Sequence, residues 1–299
     1  MNHKGNITDT VSGYGILECD VCGFKHLHPI PDQKVLDEFY RTQYYDTHKP
    51  SYIEEDQRDR LFWEIAYEDR IRMFEKYAPG KNLLDIGCGS GEFMSYAVKK
   101  GWSCIGIEPS DSAAEHGRKN NLDILNTTFN DFIRNNNRKF DVIHLKNVLE
   151  HVLNPIEIIE ECYRILVKGG ILYAEVPNDY EFTQRLGVFL LREKKSWLAI
   201  PDHINYFNFR SLKKLMRRNG FKISAQATTF PIYALLLLGY NFIRHKAKGR
   251  SAHNIRIKFE IFLYRNHLNP VRRLFYKVLS GLGLGRTVIL YCKKTTDLC

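Results

Sequence analysis

Leu83-Leu84-Asp85-Ile86-Gly87-Cys88-Gly89-Ser90-Gly91-Glu92-Phe93 decides the fold. An apolar run leads into a carboxylate, Asp85, and then into glycine at every second position, Gly87, Gly89 and Gly91. A helical pattern follows from Glu92. Glycine at a strand-to-helix turn lets the backbone bend sharply and lets a ligand approach it closely. By shape this is a nucleotide-binding turn. A dinucleotide fingerprint spaces its glycines as G-x-G-x-x-G. Here the spacing is G-x-G-x-G, which opposes a nicotinamide-dependent dehydrogenase.

Outward from the turn, short apolar runs alternate with helical patterns. Strands are expected over 82–86, 103–107, 123–125, 140–145 and 171–176, with helices from 92, through 113–119 and over 154–166. Such alternation predicts an α/β fold with a parallel sheet covered on both faces. The ligand then belongs beyond the carboxyl ends of the strands, beside the first of them. Glu108 ends the next strand, 23 residues after Asp85. Nucleotide-binding α/β folds place there an acid that accepts hydrogen bonds from ribose hydroxyls.

Upstream, residues 61–77 read as a helix stopped by Pro79-Gly80, and 31–45 as an amphipathic helix. The polar stretch 46–58 reads as a linker or lid. Downstream, an aromatic-rich insertion at about 178–210 contains Trp197, His203, Tyr206 and Phe207. A helix to Asn219-Gly220, a strand from Phe221, a second insertion at about 230–285 and a last strand from Thr287 complete the chain. The expected division is a leader at 1–58 and a main domain at 59–299.

The net charge of +10 favours an acidic partner, whether a phosphorylated substrate, an anionic membrane surface or nucleic acid. The first sixteen residues lack the apolar core of a signal peptide. The longest aliphatic run, 233–240, falls well short of the roughly 20 residues that span a bilayer. With seven cysteines, an odd number, the expectation is a cytoplasmic protein with reduced thiols and no transmembrane segment.

The G-x-G-x-G turn resembles motif I of the class I S-adenosylmethionine-dependent methyltransferases. Phe140-Asp141-Val142-Ile143-His144-Leu145-Lys146-Asn147 resembles the segment after the fourth strand of that superfamily. Leu166-Val167-Lys168-Gly169-Gly170-Ile171-Leu172 resembles its loop into strand five. Asp202-His203-Ile204-Asn205-Tyr206-Phe207 is similar to the ubiquinone-biosynthesis-like bacterial branch. The likeness covers most of residues 60–225. It implies a Rossmann-like, doubly wound, seven-stranded sheet with the last strand antiparallel, carrying a cysteine-bearing leader and helical insertions. It also implies that S-adenosylmethionine is held by Asp85, Gly87, Cys88, Gly89, Gly91, Glu108, Pro109, Phe129, Lys146 and Asn147, with the 126–129 segment near the adenine.

A sulfonium is an activated methyl donor, so the protein must align a nucleophile and in some cases take its proton. His151 and His203 are the candidate bases, set against an orienting or helix-capping role for each. The ubiquinone-type Glu-x-x-Glu-His pattern, associated with a divalent metal, here reads Asn147-Val148-Leu149-Glu150-His151. An amide in place of the first carboxylate weakens any magnesium site. The Pro-Pro-Tyr element of exocyclic-amine methylation is absent, so oxygen is the expected acceptor atom. Relatives with this leader accompany bacterial surface-polysaccharide synthesis, which points to a small molecule or glycan precursor. Nitrogen, carbon or RNA acceptors, and a non-catalytic binder of the same nucleotide, are the alternatives.

Two further features stand outside the core motifs. In the leader, Cys19 and Cys22 form half a zinc knuckle, to which His26 and His28 add two candidate ligands. The alternative is a compact loop with free thiols. Between Arg244 and Lys277 there are ten Lys or Arg residues and one acid, Glu260, interleaved with aromatics. That run fits a solvated basic face, an anionic acceptor or peripheral contact with anionic lipid. No RNA-binding module is recognisable, so nucleic acid is disfavoured as a partner.

Overall fold

The computed structural model describes residues 3–32, 58–200 and 202–295. The chain forms two compact units. One comprises residues 1–30, 175–215 and 225–290, and the other 31–174, 216–224 and 291–299. The helix expected over 31–45 and the stretch after it fall almost wholly outside the described residues.

The main sheet has seven strands: β4 (Asn82–Ile86), β5 (Ser103–Ile107), β6 (Ile124–Leu125), β7 (Phe140–Lys146), β8 (Leu166–Pro177), β10 (Phe221–Ala227) and β11 (Thr287–Lys294). Their order is β10-β11-β8-β7-β4-β5-β6, with the last strand antiparallel, as the resemblance implies. In the parallel part, Asp85 of β4 stands in register with Gly106 of β5 and His144 of β7. The chain moves one way from β4 through β5 to β6, then crosses back to β7. The reversal lies between β4 and β7, at the carboxyl end of β4. Central strands covered on both faces need apolar side chains on both, and β7 is buried from Phe140 through Leu145.

Helices α1 (Arg60–Tyr77), α2 (Glu92–Lys99), α3 (Asp111–Lys119), α4 (Phe129–Asn135) and α5 (Pro155–Ile165) cover this sheet in sequence. Several starts are written in the local sequence. Ser110, Thr128 and Asn154 each accept a backbone N–H from the first turn of α3, α4 and α5, and Pro155 occupies the first helical position. Phe74, Met94, Ile143 and Tyr173 are among the side chains fully removed from water.

The leader is a sheet. Strands β1 (Gly5–Val11), β2 (Tyr14–Cys19) and β3 (Lys25–His28) form an antiparallel meander. A fourth strand, β9 (Asn205–Tyr206), comes from the first insertion and pairs Lys25 with Tyr206 and His26 with Asn205. Ile16, Leu27 and Tyr206 form its buried cluster. The insertions add α6 (Phe182–Leu191), α8 (Ile232–Leu237), α9 (Lys246–Arg265) and α10 (Asn269–Gly281), while α7 (Phe209–Arg218) precedes β10.

Candidate active site

The β4–α2 turn carries its glycines in the left-handed region: φ is +68° at Gly87, +59° at Gly89 and +85° at Gly91. A side chain at Gly87 would also meet Val148 at 2.8 Å. The turn is tied to the next strand. Gly87 and Cys88 both donate backbone N–H groups to the Ile107 carbonyl, at 2.8 and 3.1 Å. Gly89 donates its N–H to Oε2 of Glu108 at 2.9 Å, and Ser110 donates to Oε1 at 2.9 Å.

Glu108 is buried at the carboxyl end of β5. Burial pushes its pKa up to about 7, and the two backbone donors and the nearby Asp85 charge only modify that shift. Each carboxylate oxygen retains a lone pair beyond its backbone bond. Asn126 donates from Nδ2 to the carbonyls of Glu108 and Pro109, both at 3.1 Å, joining the ends of β5 and β6. Phe129, buried, opens α4 directly afterwards.

Asp85 does not stand alone. His144 of β7 lies with Nδ1 2.5 Å from Oδ1 of Asp85, and both side chains are buried. The imidazole is sandwiched between Phe93 and Tyr173, with ring centroids at 4.4 and 4.8 Å. Burial holds His144 below the ordinary histidine range, against the opposing pull of Asp85, so the neutral ring donates Nδ1–H to the carboxylate. Arg70 of α1 places its guanidinium over the same two rings, 4.8 Å from Phe93 and 4.6 Å from Tyr173. Sequence motifs quote His144 and miss its role. The available signal was a polar residue inside an apolar strand, in register with Asp85.

At the end of β7, Lys146 lies 4.7 Å over the Trp63 ring and Asn147 adopts φ +54°, a conformation asparagine tolerates. The ten residues expected to hold the donor therefore occupy the carboxyl ends of four neighbouring strands, β7, β4, β5 and β6. Cys88 is held as the thiol, because burial and the charges of Asp85 and Glu108 raise its pKa well above the usual value. The two candidate bases belong to different units. His151 donates its backbone N–H to Val148 at 3.0 Å, and its Nε2 lies 3.8 Å from Oε1 of buried Glu150. His203 precedes β9 and donates its N–H to Ala199 at 2.6 Å.

Of the candidate metal ligands in the leader, Cys19, Cys22 and His26 come together and His28 does not. His28 is two residues further along β3 and exposed, about 7 Å on by the strand repeat. His3 takes its place in the group. Burial lowers the pKa of both His3 and His26, which favours neutral imidazoles.

A sheet with an antiparallel last strand, and a glycine turn whose Gly89 N–H meets a strand-end acid, define a class I S-adenosylmethionine-dependent methyltransferase. The chain belongs to the methyltransferase domain family, which matches residues 55–226. Over 109 residues it is 38% identical to a ubiquinone biosynthesis O-methyltransferase of Actinobacillus pleuropneumoniae, covering 33% of this chain and 47% of that protein. The match spans about half of that relative's length. Among solved structures, a SAM-dependent methyltransferase from Archaeoglobus fulgidus is similar with TM-score 0.52 and 17% identity, covering 81% of this chain and 99% of the other. Magnesium protoporphyrin IX methyltransferase from Synechocystis, with bound S-adenosylhomocysteine, gives TM-score 0.53 at 13% identity, covering 88% of this chain and all of that one. These last two likenesses are of fold.

Proposed function

We propose that this chain moves the methyl group of S-adenosylmethionine to a hydroxyl oxygen of a small molecule or glycan precursor. The observation that carries the reading is buried Glu108, held by the N–H groups of Gly89 and Ser110 beside the glycine turn. A carboxylate fixed there accepts the two ribose hydroxyls with its remaining lone pairs. The neutral His144 imidazole, hydrogen-bonded to the Asp85 carboxylate, supports the end of β4 without placing an imidazolium beside the sulfonium. The acceptor oxygen attacks the methyl carbon in line with the S–CH₃ bond, which breaks to leave the neutral thioether. The hydroxyl proton goes to a base. His151, with Glu150 beside it to stabilise the imidazolium, is the first candidate and His203 the second.

Oxygen as acceptor atom is supported by the O-methyltransferase named above. An anionic acceptor is supported by the net charge of +10 and by the absence of any acid from residue 261 to 286. The same cationic stretch supports peripheral contact with an anionic membrane surface. None of the six cysteines of the described residues is in a disulfide, in keeping with action in the reducing cytoplasm.

Calorimetric titration with S-adenosylmethionine, S-adenosylhomocysteine and NAD tests the donor. Binding of the first two without NAD is expected; binding of NAD alone would overturn the proposal. Detection of S-adenosylhomocysteine release across hydroxylated phenols, nucleotide-linked sugars and small RNAs then tests the acceptor. Turnover confined to RNA would overturn that part. Binding without turnover across the set would favour a non-catalytic role.

A further inference from the structure

We propose that His3, Cys19, Cys22 and His26 form a closed, tetrahedral zinc site that fastens the N-terminus to the leader sheet. One ligand atom from each of the four lies within 4.8 Å of every other. The thiols come from the β2–β3 turn, where Cys22 donates its N–H to Sγ of Cys19 at 3.4 Å. Gly23, at φ +79°, donates to the Cys19 carbonyl at 2.8 Å and closes the turn. His3 places Nδ1 3.7 Å from Sγ of Cys19 and 3.4 Å from Sγ of Cys22. Zinc bonds of about 2.0–2.3 Å in a tetrahedron put neighbouring ligand atoms roughly 3.3–3.8 Å apart. The His3 contacts already have that length.

His26 gives the independent indication. Its side chain is 2% exposed, and Nδ1 lies 2.8 Å from the Leu27 carbonyl, which fixes the proton on Nδ1. The other ring nitrogen, Nε2, is buried with no hydrogen-bond partner. A buried acceptor without a partner costs on the order of 1–3 kcal/mol, so its retention calls for an occupant. A cation satisfies it. A carbonyl-bound Nδ1–H with Nε2 directed at the metal is also how ligating histidines are commonly oriented.

The donor set selects the ion. Two thiolates and two imidazoles in a tetrahedron suit zinc, and the two thiolate charges neutralise a divalent cation in a buried place. Four protein ligands leave no open position, so the role is structural. A disulfide between Cys19 and Cys22 is the competing chemistry, but it would satisfy neither imidazole. Because His26 pairs with Asn205, the metal would brace the edge where the first insertion joins the leader.

The test uses the full chain, expressed without a polyhistidine tag, and atomic emission for metal content. About one zinc per chain is expected for the native protein, with roughly tenfold loss in Cys22→Ser and His3→Ala and full retention in His28→Ala. Cobalt substituted into the native chain should give thiolate charge-transfer bands and tetrahedral ligand-field bands, which keeps the test valid if a variant fails to fold. Absence of zinc after reconstitution, an octahedral cobalt spectrum, or a Cys19–Cys22 disulfide in anaerobically isolated protein would overturn the site. So would loss of zinc in His28→Ala alone. S-adenosylmethionine binding serves as a separate readout, because the methyl-transfer proposal does not depend on the metal.

Discussion

Glu108, which burial pushes up to about 7, changes its charge near neutral pH. Glu108 is raised from the ordinary 4.5 by burial, so the folded chain holds its proton more tightly than the unfolded chain. The linkage therefore removes stability as pH climbs from about 4.5 to 7, by about 3 kcal/mol once ionisation is complete. In the proposed donor complex the ribose hydroxyls donate to the carboxylate, so binding of the donor draws Glu108 to the ionised form. Affinity for S-adenosylmethionine should then weaken as pH falls through 7, with a proton released on binding at pH 6.5. Calorimetry in two buffers of different ionisation enthalpy measures that proton directly. Glu108→Gln should bind more weakly and lose the pH dependence; unchanged proton release would show that another group is responsible. His151 is the base proposed for the chemical step. His151→Ala is expected to lower kcat by roughly 10²–10⁴ with the donor affinity unchanged, restored in part by added imidazole. An equal loss of donor binding would make it a positioning residue.

At the scale of the element, the α9–α10 hairpin is held by a buried polar group. Glu260 of α9 accepts from Arg272 at 3.1 Å and from the Tyr276 hydroxyl of α10. Burial lowers the nearby Arg256 to about 10, with Glu260 opposing that shift. Removing the Glu260 carboxylate takes away the buried acceptor of Arg272 and of the Tyr276 hydroxyl, so Glu260→Ala should cost about 3–5 kcal/mol, read as a fall in the denaturant midpoint. Glu260→Met with Arg272→Met should cost much less, and an equal cost would place the effect in packing. Elements of this kind differ in how plainly their sequences announce them. β4, β5 and β7 are fully legible, since a strand buried on both faces reads as a continuous apolar run bounded by turns. β8 begins at Leu166, five residues before its expected start at 171, because the chain runs through Gly169-Gly170 as strand. β1–β3 read from sequence only as a loop with thiols. β1 is mostly exposed, β2 and β3 have only six and four residues, and β9 has two, too few for a period to show. His3 was invisible as a ligand because no motif links a residue at the terminus to one sixteen positions on. Only the β1–β2 hairpin brings it back, pairing Gly5 with Cys19.

For the whole molecule, the charge balance and one helix face make a joint prediction. On α10, Val271, Leu274, Phe275 and Val278 are exposed, followed by Leu282, while Arg272, Tyr276 and Ser280 are buried. Positions three, four and seven apart share a face, so the outward side of this helix is an apolar stripe. Arg273 and Lys277 flank it, and residues 261–286 contain no acid. A helix facing water usually shows charge there, so a large exposed apolar stripe rimmed by cations marks a surface for contact. No helix among the described residues is long and apolar enough to cross a membrane; an apolar stripe rimmed by cations is the pattern of a helix that lies in the interface plane. The native chain should therefore sediment with vesicles containing phosphatidylglycerol and stay in solution with purely zwitterionic ones. Raising salt to about 0.5 M, where the Debye length falls to roughly 4 Å, should release most of it. Leu274→Glu with Val278→Glu should abolish sedimentation while leaving S-adenosylmethionine binding intact, since those side chains face outward on the hairpin. Retention by zwitterionic vesicles, or indifference to salt, would mean that the cations contribute nothing. A concentration-dependent dimer abolished by the same pair of substitutions would instead assign the stripe to a second copy of the chain.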